Sequence, residues 1–154
     1  MIQEITGDSS GEGLHVGLAV AIWNQVITDR LLAGARARCE KLGVSQVTVL
    51  RVPGALELPL GAQALIDKGC DAVVAIGAVV KGDTDHYDIV VRESARGISQ
   101  VALDRGVPVT NAILAVHDME QALARSEEGR GNRGGESVEA AVLTAVALSK
   151  LGGE

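Results

Sequence analysis

The chain has 154 residues, 47% of them apolar, and a formal net charge of −6. That length suits one domain with a real core, and that apolar content excludes a disordered chain. The 14 Lys and Arg residues form no basic stripe, which argues against a nucleic-acid partner, and no apolar run reaches the ~20 residues of a membrane span.

Residues 1–10 fit no core helix and lack the basic and apolar regions of a signal peptide. They read as an arm that reaches a neighbouring subunit as an added strand, in one domain spanning 1–154 with 1–13 as the arm. Residues 14–22 are the first of four apolar runs that read as strands buried on both faces; the others are 44–52, 71–80 and 107–116. Continuous rather than alternating apolarity marks a parallel sheet covered by helices. After the first run, Asn24 is placed to N-cap a helix ending at Gly43. After the second, residues 58–68 are helical, with Pro59 tolerated in the first turn and Gly69 closing the helix. The third run leads into a helix over 85–105, ended by Gly106. Beyond the fourth, a short helix covers 119–126 and a longer one 136–151, with 129–135 reading as a flexible basic loop between them. Cys39 and Cys70 lie far apart without metal-ligand spacing, and read as reduced, buried thiols of a cytoplasmic protein.

The alternation predicts a three-layer α/β/α sandwich around a four-stranded parallel sheet. In such sheets ligands bind beyond the carboxyl ends of the strands. The chemically interesting residues fall there: Trp23-Asn24, Pro53-Gly54-Ala55-Leu56-Glu57, Lys81 to His86, and His117-Asp118.

The stretch Gly77-Ala78-Val79-Val80-Lys81-Gly82-Asp83-Thr84-Asp85-His86 is the most informative. A buried strand stops at a glycine-bracketed turn carrying a cation, a hydroxyl and an imidazole, ahead of a helix whose free N–H groups favour phosphate. His86 is the candidate acid–base group, because imidazole titrates near neutral pH. Asp83 and Asp85 would repel an anion, so they should point outward or serve as caps. A phosphate in this turn wants a second cation, for which Arg125 and Arg133 are candidates. Trp23 is placed to stack on a planar ring, and Glu57 to accept hydrogen bonds from hydroxyls. His15 and His117 read as structural or solvent-exposed. These groups describe a pocket for a flat heterocycle, a polyol and a phosphate, with no metal constellation and neither a GxGxxG nor a Walker loop.

With these motifs in order, the chain resembles the 6,7-dimethyl-8-ribityllumazine synthase family over about residues 14–151. The carrying residues are Trp23-Asn24, Val52 to Glu57, Gly77 to Asp88, Glu120-Gln121-Ala122 with Arg125, and Gly131-Asn132-Arg133-Gly134. The resemblance implies a flavodoxin-like fold and an enzyme of riboflavin synthesis. That enzyme joins 5-amino-6-(D-ribitylamino)uracil to 3,4-dihydroxy-2-butanone 4-phosphate, releasing phosphate and water, without cofactor or metal. By position it implies that Trp23 stacks on the pyrimidine, that Ala55, Leu56 and Glu57 meet the ribityl chain, and that Ala78, Val79 and Val80 line the uracil site through backbone groups. Asp83 and Thr84 would hold the phosphate through main-chain N–H groups, Arg125 would clamp it with Arg133 nearby, and His86 would move protons. Asn111, late in the fourth strand, would come from the neighbouring subunit.

Four places depart from the family's pattern: Trp23 stands for Phe, Arg133 for Lys, Asn111 for a frequent Phe, and His117-Asp118, to which no role is assigned, for Thr or polar residues. Homo-oligomers are also implied, either pentamers or sixty-subunit shells of pentamers. The competing readings are a flavin- or lumazine-binding protein without turnover and a shell-forming protein of the same fold.

Overall fold

The computed structural model describes residues 1–153. Four strands alternate with helices: β1 (His15–Ala21), α1 (Gln25–Lys41), β2 (Gln46–Val52), α2 (Leu58–Asp67), β3 (Ala72–Val80), α3 (His86–Arg105), β4 (Val109–Val116), α4 (Met119–Arg125) and α5 (Arg133–Leu151). A single 3₁₀ turn, Ala55–Glu57, precedes α2. The sheet is all parallel in the order β2-β1-β3-β4, so the expected α/β/α sandwich is what forms. No helix among the described residues is long and apolar enough to cross a membrane.

The pleat of β3 divides the core. Ala72, Val74, Ile76 and Ala78 face a layer made by α1, α4 and α5, through Leu31, Ala122 and Val138 among others. Val73, Ala75 and Val79 face the opposite layer, made by α2 and α3 through Leu58, Ala62 and Ile98. Period-2 side-chain alternation in a strand covered on both faces requires this split. Only the central strands are buried on both faces. β2 and β4 are half-exposed because each is an edge with a neighbour on one side only.

The stretch 129–135 is not a loop throughout, because Arg133, Gly134 and Gly135 form the first turn of α5. Asn132 decides this. Its side chain is buried; Oδ1 accepts from the Gly135 N–H at 3.2 Å, and Nδ2 donates to the carbonyls of Arg30 at 3.2 Å and Ser126 at 3.1 Å. Part of the N-terminal arm rests on its own chain. Thr6–Asp8 lie on this chain's own α5, with Lys150 Nζ donating to the Thr6 carbonyl at 3.1 Å and pairing with Asp8 at 3.4 Å. Met1 and Ile2 stay fully exposed.

Cys39 and Cys70 are free and buried. Burial pushes the Cys39 thiol up to about 11, and burial together with the Asp71 carboxylate raises that of Cys70. Thiolate is the reactive form, so both should resist a thiol-selective probe at neutral pH until the protein is unfolded. Prompt alkylation of either in the native protein, read by mass spectrometry, would contradict this.

Candidate active site at the carboxyl edge of the sheet

The ends of β1, β2 and β3 are tied to one another. As the chain leaves β1, the Ile22 N–H donates to the Val52 carbonyl at 2.8 Å and the Trp23 N–H to the Pro53 carbonyl at 3.0 Å. One residue on, Asn24 Nδ2 donates to the Ala78 carbonyl of β3 at 2.7 Å. The ladder between β3 and β4 continues to Val80 opposite Val116, where the Lys81 N–H donates to the Val116 carbonyl at 2.9 Å. All four strands therefore deliver their following residues to one edge.

Trp23 is 66% exposed, which is unusual for the only Trp of a chain. Its indole lies on Gly54, where an added Cβ would sit 2.5 Å from the ring. The same glycine donates its N–H to Glu57 Oε1 at 2.9 Å, so the indole and the Glu57 carboxylate are organised around one backbone unit. Ala55 is buried beneath them and Leu56 is exposed beside them. On the β3 side, the Ala78 methyl is buried while Val79 and Val80 are partly open. A flat ring with one polyol arm matches this combination of an open indole, a half-buried carboxylate and strand-end backbone groups.

Lys81 to His86 are exposed, and His86 opens α3, with its N–H donating to Thr84 Oγ1 at 3.4 Å. Asp85 stands at the N-cap position and its carbonyl, not its carboxylate, receives the first helical N–H groups. The turn and first helical residues carry Lys81 against Asp83, Asp85 and Asp88. A doubly charged phosphate here faces surplus negative charge, so helix N–H groups alone do not suffice and an added cation is required.

Neither candidate arginine makes a hydrogen bond or ion pair to this turn within the chain. α3 belongs to the α2 side of the sheet and α4, which ends in Arg125, to the α1 side, so the elements carrying His86 and Arg125 lie in opposite layers. The Arg125 guanidinium donates to the Gln121 carbonyl at 3.1 Å on its own helix and is exposed. Arg133, also exposed, pairs with Glu136 one turn along α5 at 3.1 Å. Asn111 is a correction. It is the third residue of β4 rather than a late one, opposite Ala75 and five register positions short of the Val80–Val116 pair. At about 3.3 Å per residue it stands ~16 Å from the carboxyl edge. It sits on the open side of that edge strand, and its Oδ1 accepts from the Ile113 N–H at 2.8 Å.

A cleft of about 920 Å³ lies elsewhere, between α1 and the α4–α5 connection, lined by Arg30, Arg38, Lys41 and Arg130 among others. It contains none of the carboxyl-edge groups. The exposed Trp23 indole, the Glu57 carboxylate and the His86 imidazole, by contrast, all follow strand ends at the carboxyl edge, which makes that edge the candidate site. Among the described residues, no three His, Cys, Asp or Glu side chains are grouped to hold a metal ion.

Sequence reasoning missed three positioning features. Asn24 does not cap α1 with its side chain; it reaches β3 instead. Arg30 holds the end of α4 by donating to the carbonyls of Leu123 at 3.1 Å and Ser126 at 3.3 Å. Asp118 caps α4 by accepting from the Gln121 N–H at 2.9 Å, while Gln121 Oε1 accepts from the His117 N–H at 2.8 Å. Only the last carried a local signal, an Asp followed three residues later by Gln.

The family model described as 6,7-dimethyl-8-ribityllumazine synthase matches residues 13–149 of the chain. The 6,7-dimethyl-8-ribityllumazine synthase of Thermococcus kodakarensis is 41% identical, over 97% of this chain and 96% of its own length. Its counterpart in Kineococcus radiotolerans is 44% identical over 94% of each chain, and that of Pyrococcus furiosus 36% identical over 98% of this chain and 96% of its own.

Proposed function

Because the chain belongs to the 6,7-dimethyl-8-ribityllumazine synthase family, a family of riboflavin biosynthesis, we propose that it runs that condensation at the carboxyl edge of its sheet, in a cavity completed by a second copy. The chain is an enzyme of that family, a transferase acting on small molecules. The observation that carries the location is the convergence of Trp23, Gly54, Glu57 and Ala78 on one set of hydrogen-bonded strand ends.

Trp23 stacks on the pyrimidine and the Ala78–Val80 backbone reads its polar edge, while Ala55, Leu56 and Glu57 take the ribityl chain. Asp83 and Thr84 present main-chain N–H groups to the butanone phosphate. The amine attacks the ketone and water leaves, giving an imine; phosphate elimination, ring closure and loss of a second water follow. Every step moves a proton, and His86, beside the phosphate turn, is the group that gives and takes it. Holding both reactants side by side supplies a further share of the rate.

The second copy enters through charge and surface. The phosphate turn sets Lys81 alone against Asp83, Asp85 and Asp88, and the added cation it needs is Arg125, with Arg133, from a second protomer, which also brings Asn111. Ile22, Val26, Leu56, Leu60, Ile89 and Leu103 are exposed apolar side chains, the composition of a surface that is covered in an assembly. We extend the proposal to a closed homo-oligomer, a pentamer or a sixty-subunit shell of pentamers, in the cytoplasm, where its two thiols stay free.

Mixing the two substrates should yield the fluorescent lumazine. A folded protein that binds ribityl-pyrimidines and forms no product would overturn the assignment. Arg125→Ala should raise KM for the butanone phosphate by roughly tenfold, the scale of one charge-assisted hydrogen bond, and leave KM for the pyrimidine unchanged. If the site is shared, co-refolding Arg125→Ala with His86→Ala in equal amounts restores intact sites. At subsaturating phosphate substrate about one quarter of wild-type activity returns, since each site then draws its two groups independently. No recovery beyond the separate variants would place both groups in one chain.

A further inference from the structure

Asn24 is the only non-glycine residue among those described with a positive φ, at 62° with ψ 44°. Left-handed backbone is costly for a side-chain-bearing residue, and Asn tolerates it better than most. The usual benefit of Asn before a helix is an N-cap hydrogen bond, and Asn24 makes none to α1. Its amide crosses instead to the Ala78 carbonyl at 2.7 Å. The register pairs of β1 with β3 end at Val20–Ile76, two residues before Ala78. Beyond that point the two strands separate, and the Asn24 side chain supplies the next rung. The residue just before it is Trp23, whose indole lies on Gly54.

We propose that Asn24 is a positioning residue, whose side-chain amide fixes the Ala78–Val80 backbone relative to the Trp23 indole and so sets the slot for the flat ring of the pyrimidine substrate. This rests on the site assigned above. The left-handed turn starts α1 directly after Trp23, and the amide reaches the Ala78 carbonyl of β3, so one residue links the segment bearing the indole to the other wall of the slot. Without the amide the Ala78 carbonyl loses its partner, and the strand end is free to rotate away from the ring.

The test separates backbone from side chain. Asn24→Gly keeps the left-handed turn and removes the amide; Asn24→Asp keeps the size but presents an acceptor to the Ala78 carbonyl. Binding of the lumazine product is read by quenching of Trp23, the chain's single Trp. Both variants should weaken product binding and raise KM for the pyrimidine about tenfold, the effect of one lost hydrogen bond, with KM for the butanone phosphate and the melting temperature near wild type. Tight binding by Asn24→Gly equal to wild type would overturn the proposal, because the turn alone would then suffice. Equal loss for both substrates with a lowered melting temperature would also overturn it, by making the role a general structural one. If the product leaves wild-type Trp23 fluorescence unchanged, the placement of the site itself fails, independently of Asn24.

Discussion

His86→Ala is expected to lower kcat by about 10²–10⁴, the range carried by a positioned acid–base group, while both KM values stay within a few-fold. The reason lies in where the imidazole stands. It is exposed on the first residue of α3, makes no packed contact with the core, and its own N–H is the only group of this residue hydrogen-bonded to the turn, through Thr84 Oγ1. Losing it should therefore leave stability nearly untouched, so the loss of rate is chemical rather than structural. His117→Ala serves as the control, since that side chain is exposed and precedes α4 without a role in the site. Steady-state kinetics with each substrate varied in turn checks the split. A large KM change with intact kcat would remove His86 from proton transfer and make it a binding group.

Gly134→Ala should be the most destabilising single methyl in the protein's helical layers. In a helix this exchange ordinarily stabilises by about 1 kcal/mol. Here the new Cβ would fall 2.1 Å from the Leu31 carbonyl oxygen and 3.0 Å from Asn132 Oδ1. The obstacle is backbone of a buried turn of α1, which no rotamer change relieves. α5 would have to withdraw from α1 and pull Asn132 off the Arg30 and Ser126 carbonyls. A net loss of about 3 kcal/mol is expected, at the upper end of overpacking costs. For a chain of this size that lowers Tm by roughly 6–12 °C. Gly131→Ala, three residues earlier, meets nothing within 4 Å and should shift Tm hardly at all. Thermal unfolding of the two variants side by side decides it, and equal Tm values would mean that the close approach of α1 and α5 is not tightly held.

The same glycine marks where local reading stopped. Residues 129–135 look like a loop because Gly and Asn lower helix propensity and no apolar period runs through them. The helix begins at Arg133 nonetheless, because Asn132 caps it and Gly34 of α1 leaves room for that cap: a Cβ on Gly34 would sit 2.1 Å from Asn132 Oδ1. Those partners are about a hundred residues apart in sequence, so no local window contains the reason. Asn24 fails in the opposite direction. Locally it is a good N-cap, yet its side chain finds a strand-end carbonyl fifty-four residues away, a partner that exists only once β1 and β3 lie side by side. Asn111 is not late even in the apolar run 107–116, where it is the fifth of ten residues; β4 begins only at Val109, which leaves it third in the strand.

Periodicity, glycine stops and strand-end chemistry were enough to establish the alternating order of elements, the parallel sheet and the residues gathered at its carboxyl edge. These follow from short-range rules, namely which residues fit a doubly covered strand and where a helix must end. The tertiary structure alone decided that Asn24 braces β3 and that Asn132 starts α5. It alone placed the helices bearing His86 and Arg125 in opposite layers of the sheet. Hydrogen bonds and clashes between segments far apart in sequence have no local signature, and which face of the sheet a helix covers is settled only when the whole core closes.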